Sequence, residues 1–187
     1  IAPLGDPVVR LALAQAIDRR AIARGLGGTD GDVAEQLFQG SRWRCSDAGY
    51  PAFDPDGARN ILAALEVDFS RTVLWTEDTP TLRRTAQMIQ AMWAKAGISI
   101  GVHVVTGQDR SLTYQIVTGR AALWIQPKGP FVHPSISDLA LHSASSQNIT
   151  RLRSHKIDTA IARLRRARTE KDIRAAHCGF ARVKTEV

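Results

Sequence analysis

The chain has 187 residues, 44% of them hydrophobic and 23% charged, which suits one folded domain with its own core and excludes a disordered chain. Its apolar runs are only a few residues long, far below the roughly 20 needed to span a bilayer, and no signal peptide precedes Ile1, so we expect a soluble piece of a longer protein. The net charge of +7 comes from residues 151–187, which hold 11 Lys/Arg against 4 Asp/Glu, whereas residues 1–150 hold 14 of each.

The first third of the chain predicts two helices separated by an irregular stretch. A helix is expected over residues 7–24, capped by Asp6 and stopped at Gly25. Residues 25–52 are rich in glycine and lack a periodic apolar pattern. A short helix over residues 54–65 follows, because an Asp-Pro pair is a common helix start.

The middle of the chain predicts a strand, a helix and a second strand. Residues 72–75 form a short apolar run typical of a buried strand. The following segment has Thr79 as a helix cap, apolar residues at spacings of three and four, and Gly97 as a left-handed stop. Over residues 98–105 the period changes from 3.6 to 2, which predicts a strand with Ile98, Ile100, Val102 and Val104 on one face. This order indicates a crossover unit and a mainly parallel sheet.

The remaining pattern predicts one more strand and several helices. In order, these are a helix over residues 107–119 that begins near Gln108 or Asp109, a strand over 121–125, a short helix over 135–142, and two closing helices over 155–168 and 170–184.

The sequence contains none of the common catalytic or metal-binding motifs. It has no GxSxG, HExxH, CxxC or SxxK string, and its five histidines are scattered, so we predict no enzyme, no metal site and no cofactor. Cys45 and Cys178 lie far apart in sequence. A disulfide between them and two buried free thiols both remain open.

The basic end of the chain raises the alternative of nucleic-acid binding. Arg163, Arg165 and Arg166 fall mostly away from an apolar stripe of Ile157, Ala160, Ile161 and Leu164. That arrangement is typical of a solvated helix face, and Phe180 is the only aromatic residue in the segment that could stack on a base. We therefore predict no nucleic-acid partner.

Polar residues at the ends of two predicted strands form the candidate binding site. Ligands of open α/β sheets collect at the carboxyl ends of strands. Thr76 and Glu77 follow the first strand, and Gln126 and Lys128 follow the strand that contains Trp124. The two ends should lie close together if the strands are neighbours, and Trp124 could stack on a ligand or lie in the core.

Four segments in the same order resemble bacterial extracellular solute-binding proteins of family 5, the dipeptide, oligopeptide and nickel class. These segments are PVVRLALAQAIDRRAIARGL, YPAFDPDGARNILAAL, the helix-strand unit that runs from Thr79 to Ile125 and includes the later AALWI strand, and SQNITRLRSHKIDTAIARLRRARTEKDIRAAHCGFARV. The resemblance covers most of the chain and matches the second of the two lobes of such proteins.

The resemblance implies the fold and the function that we expect. The fold would be an α/β lobe of the type II periplasmic-binding-protein kind, with a mixed, mainly parallel sheet flanked by helices, and residues 1–187 would form this single lobe while the first lobe is absent. The protein would be the substrate-binding component of an ABC importer that captures a peptide or other small solute by two-lobe closure. Its partners would be the first lobe and a membrane permease, and its place would be extracytoplasmic, as a lipid-anchored protein. A ligand-sensing regulatory or interaction module built on the same lobe is the alternative.

Two charged anchors of the family pattern are missing from this sequence. Peptide binders of the family carry an acidic residue three positions after the Trp that matches Trp124, and Pro127 stands there. Dipeptide-type members can present an Arg after the earlier strand, at about the position of Thr76. Recognition of a zwitterionic dipeptide by this lobe is therefore not expected, and Lys128 could instead face an anionic group.

Overall fold

A computed structural model describes residues 3–36, 38–106, 109, 111–127, 133–135 and 141–185. The chain forms two compact units. Unit 1 comprises Ile1–Val33 and Pro51–Lys128, and unit 2 comprises Ala34–Tyr50 and Gly129–Val187. The expectation of one lobe over residues 1–187 stays a prediction.

The elements of unit 1 alternate between helix and strand in the second half of the unit. In order they are α1 (Pro7–Gln15), α2 (Arg19–Gly25), a 3₁₀ turn (Asp30–Asp32), α3 (Pro55–Ala64), β1 (Val73–Glu77), α4 (Pro80–Lys95), β2 (Gly101–Val105), α5 (Leu112–Val117) and β3 (Leu123–Ile125). The predicted caps Asp6, Asp54 and Thr79 accept hydrogen bonds from the first turns of their helices, and Gly97 has φ +78° after α4.

The predicted single helix over residues 7–24 is wrong, because helix α1 ends at Gln15 and a second helix begins at Arg19. The Asp18 side chain accepts a hydrogen bond from the amide of Ala21 and starts α2, so this acid acts as a new cap rather than as a residue inside a helix. The carbonyls freed at the end of α1 find other donors. Trp93 Nε1 donates to the Leu13 carbonyl at 3.0 Å, and the Asp54 amide donates to the Gln15 carbonyl at 2.9 Å.

Within the described part of the chain, the strands form a three-stranded parallel sheet in the order β2-β1-β3, which confirms the predicted crossover unit. One face of the sheet carries Leu74 into a core shared with α1, α3 and α4, where Trp93 is 2% exposed. The connections from β1 to β2 and from β2 to β3 run in opposite directions along the sheet. Right-handed crossovers therefore place α4 and α5 on opposite faces.

Several predicted boundaries in unit 1 differ from the structure. The strand expected over residues 72–75 is Val73–Glu77, and the strand expected over residues 121–125 is Leu123–Ile125. The helix expected over residues 107–119 begins at Leu112 with Ser111 as its cap, because the Asp109 carboxylate instead accepts a hydrogen bond from the amide of Thr106 in the preceding turn. The strand expected from residue 98 begins at Gly101, although Ile98 and Ile100 are both buried in the core as the alternation required.

Unit 2 packs two helices around a small apolar core. Helices α6 (His155–Arg166) and α7 (Glu170–Thr185) confirm the predicted closing pair. The apolar stripe of α6 contacts Phe180, whereas Arg163, Arg165 and Arg166 are exposed, as the sequence pattern indicated. The predicted helix over residues 135–142 falls mostly outside the described residues.

A disulfide joins the irregular segment 34–50 to α7 within unit 2. Cys45 and Cys178, which are 133 positions apart in sequence, are bonded with a Cα–Cα distance of 5.4 Å. The sequence left a bridge and two free thiols open, and the structure has the bridge. Ion pairs from Arg182 to Asp47 and from Arg42 to Glu170 connect the same two parts of the unit.

Candidate ligand-binding site

The sheet of unit 1 has a topological switch point at its central strand, β1. The connections that leave the carboxyl ends of the adjacent strands β1 and β2 run through α4 and α5 on opposite faces of the sheet, and β3 borders β1 on its other side. In open α/β sheets this divergence leaves a crevice where ligands bind. The two ends selected from the sequence therefore lie on neighbouring strands.

A row of aromatic side chains crosses the sheet on the face opposite Leu74. Trp75 pairs in register with His103 on β2 and with Trp124 on β3. The rings of Trp75 and His103 are 4.2 Å apart between centroids, and all three residues are half-buried. This aromatic row gives the face a flat, polarisable surface next to the switch point.

Glu77 and Gln126 lie one step further toward the carboxyl edge. Glu77 is the last residue of β1 and Gln126 directly follows the end of β3, so each lies one position beyond the Thr76–Ile125 pair, and alternation places both on the face of Trp124. Both are half-buried. Among the described residues the Glu77 carboxylate has neither a hydrogen-bond partner nor an ion-pair partner.

The neighbouring carboxylate is already engaged. Asp78 accepts a hydrogen bond from Nε of Arg83 on α4, and this bond holds the pKa of the Asp78 carboxyl below its usual range. Of the adjacent pair Glu77 and Asp78, only Glu77 is available to a ligand.

Thr76 and Lys128 do not join this group in the structure. The Thr76 side chain is fully buried on the opposite face, and its Oγ1 has no hydrogen-bond partner within the described part of the chain. Lys128 lies outside the described residues. Three of the five predicted residues, Glu77, Trp124 and Gln126, thus lie on one face at the carboxyl ends of neighbouring strands.

The structure adds two residues that sequence reasoning did not select. Trp75 and His103 belong to the aromatic row, which depends on strand register and could not be read from either strand alone. His103 Nε2 is 3.4 Å from Asp109 Oδ2, close enough for an ion pair, although its geometry gives no hydrogen bond. Asp109 has a lowered pKa, first because of the hydrogen bond from the amide of Thr106 and to a smaller degree because of His103.

Other kinds of site find no support in the part of the chain that the structure describes. No three His, Cys, Asp or Glu side chains there gather where they could hold a metal ion. No described helix combines the length and the apolar character needed to cross a membrane. The arrangement of a free carboxylate, an amide and aromatic rings at a switch point is suited to holding a small polar ligand.

The fold is of the α/β class, with a candidate ligand site at the carboxyl edge of its parallel sheet. The chain belongs to the bacterial extracellular solute-binding proteins of family 5, because the model of the middle part of that family matches residues 1–140.

Two relatives of known name agree with this membership. The dipeptide-binding protein of Escherichia coli is 36% identical over 104 residues, 51% of this chain and 19% of that protein. Heme-binding protein A of Haemophilus influenzae is 31% identical over 105 residues, 52% of this chain and 19% of that protein. The chain therefore spans about a fifth of the length of these relatives.

Solved structures show the same fold over the whole chain. The murein tripeptide binding protein MppA of Escherichia coli superposes with a TM-score of 0.79 at 20% identity, over 100% of this chain and 38% of that structure. This neighbour confirms the predicted type II α/β architecture with its parallel sheet flanked by helices.

Proposed function

We propose that the chain is one lobe of the substrate-binding component of an ABC importer, which captures a peptide or other small solute outside the membrane. The solute would be held between this lobe and a first lobe, with contacts from both sides stabilising the closed form. The observation that carries the proposal is the position of Glu77 and Gln126 at the carboxyl ends of the neighbouring strands β1 and β3, on the face of Trp124.

The chemistry of the site favours a solute that carries a cationic nitrogen. An unpaired, half-buried carboxylate gains most from an ammonium or guanidinium group, and an indole face also attracts a cation. Glu77 would supply the charge, Trp124 the stacking surface and Gln126 a hydrogen bond. Thr76, whose side chain is buried on the opposite face, would make no contact with the solute, and a contact between Lys128 and the solute stays a prediction.

The family gives the remaining parts of the proposal. A membrane permease would receive the solute, and the complete protein would be lipid-anchored at the outer side of the membrane. The Cys45–Cys178 disulfide supports such a place, since disulfides persist in oxidising compartments. The same membership supports a binding role without catalysis.

Mass spectrometry of small molecules that copurify with the complete protein tests the proposal. We expect a peptide or another small solute at near-stoichiometric amounts, and its affinity is then measured by calorimetry. Glu77→Gln should weaken binding of a cationic solute about tenfold or more, the equivalent of one charged hydrogen bond.

Asp78→Asn is the matched control, because it removes the adjacent carboxylate, which Arg83 already occupies. It should leave the affinity unchanged. Absence of any bound solute, together with no binding of peptides to the complete protein, would overturn the importer role. Binding that is unaffected by Glu77→Gln would instead remove only the cationic-solute assignment.

A further inference from the structure

Unit 2 contains a small cavity between the segment 36–50 and helix α7. Its volume is about 30 Å³. A single water needs about 10–15 Å³ on this scale, so the cavity has room for two water-sized groups and excludes an amino acid or a peptide. It is lined by Gln36, Phe38, Ala48, Gly49, Tyr50, His177, Phe180, Ala181 and Lys184.

One of the residues that line this cavity is a buried histidine with an unsatisfied ring nitrogen. His177 is 4% exposed, and its Nδ1 has no hydrogen-bond partner among the described residues. Its ring stands edge-on to Phe38 at 4.8 Å between centroids and lies near Phe180 at 6.5 Å. Because a buried polar nitrogen without a partner is costly, a bound group that accepts or donates a hydrogen bond would stabilise the unit.

A lysine lines the same cavity without a carboxylate. The Lys184 ammonium lies 5.4 Å from the centroid of the Tyr50 ring. None of the described residues that line the cavity is acidic, and the nearby Asp47 pairs with Arg182. The Gln36 amide is also occupied, because it bonds the backbone amide and carbonyl of Cys45, each at 2.7 Å.

The lowered pKa values of Lys184 and His177 agree with an excess of positive charge around the cavity. Burial lowers the pKa of Lys184. Burial, and to a smaller degree the Lys184 charge, lowers the pKa of His177 to about 4. The groups that face His177 from the packed segments are Phe38, Phe180 and Lys184, and none of them offers a negative charge.

We propose that this cavity binds one small monovalent anion, of the size of chloride or formate, between His177 Nδ1 and the Lys184 ammonium. The anion would neutralise the lysine and accept a hydrogen bond from the imidazole, while the aromatic walls would exclude water and larger anions. The site lies in unit 2 and is independent of the solute site in unit 1.

Bromide serves as the probe, since it resembles chloride and scatters anomalously. Crystals of the complete protein soaked in bromide should show an anomalous peak between His177 and Lys184. The peak should disappear in Lys184→Met, which keeps most of the apolar stem of the side chain. Lys171→Met, an exposed change on the same helix, is the matched control and should retain it.

A solution measurement on the unchanged protein is independent of these variants. With ¹³C-labelled histidine, the pKa of His177 should rise when chloride or formate replaces sulfate at equal ionic strength, because a bound anion favours the protonated ring. Affinity for chloride should fall about tenfold or more in Lys184→Met. Two results would mean that the cavity holds water only and would overturn the proposal. One is the absence of an anomalous bromide peak between His177 and Lys184, and the other is a His177 pKa that is the same in sulfate as in chloride or formate.

Discussion

Removal of the Cys45–Cys178 disulfide should cost unit 2 much of its stability. In the chain-entropy account, a bridge between residues 133 positions apart stabilises the folded state by about 5 kcal/mol. If unit 1 stays folded while unit 2 opens, the flexible loop is roughly half as long and the value falls to about 4 kcal/mol. The double variant Cys45→Ala and Cys178→Ala should therefore lose between about 4 and 5 kcal/mol.

Alanine is preferred to serine because Cys45 is 2% exposed, and a hydroxyl there would be buried. Pulsed hydrogen exchange in increasing urea measures the stability of each unit in the same sample. Peptides from α7 report the free energy of unfolding of unit 2, and peptides from α4 report that of unit 1. Chemical reduction of the wild-type protein should reproduce the loss. A loss below about 1 kcal/mol by both routes would refute the entropy reasoning.

Three other changes give independent tests. Trp124→Ala in the complete protein should weaken solute binding by about 1–3 kcal/mol without unfolding. Thr76→Val, on the buried face, should leave the affinity measured by calorimetry unchanged. Equal affinity in both variants would place Trp124 outside the site. In chloride-free buffer, unit 2 should keep its full stability above pH 6.5 and lose up to about 3 kcal/mol as the pH falls toward 4, because folding lowers the His177 pKa. His177→Gln should flatten this pH profile of stability. An unchanged profile in that variant would contradict the assignment. Trp93→Phe should lower the free energy of unfolding in urea by about 1–3 kcal/mol, since it leaves the Leu13 carbonyl without its donor. An unchanged free energy of unfolding would mean that water replaces the indole as the donor.

The strand-helix-strand unit could be predicted because its signals are local. Thr79 caps α4, Gly97 ends it, and the apolar period changes from 3.6 to 2 immediately afterwards. Each signal acts within one turn or one strand, so packing elsewhere in the chain did not need to be known. The same holds for the closing helices of unit 2.

The break in the first helix shows where local signals compete. The apolar pattern continued through Ala16, but Asp18 forms a cap whose hydrogen bond starts a new helix. Trp93 and Asp54, both distant in sequence, then supply donors to the exposed end of α1. Such long-range partners cannot be read from a periodic pattern.

Part of the site could be predicted from strand order alone, and part required register. The carboxyl ends of β1 and β3 were expected to meet, and alternation from the core residue Leu74 was a usable signal that Thr76 points inward. The pairing of Trp75 with His103 and Trp124 depends on how three strands align. The cysteine pairing likewise depends on distance in space, which a separation of 133 residues does not reveal.

A solute-bound crystal structure of the complete protein tests the central claim most directly. The account predicts solute density at the carboxyl ends of β1 and β3, with a cationic nitrogen within hydrogen-bond distance of the Glu77 carboxylate and the solute in contact with Trp124. Solute bound elsewhere on this lobe, with Glu77 and Trp124 untouched, would contradict it.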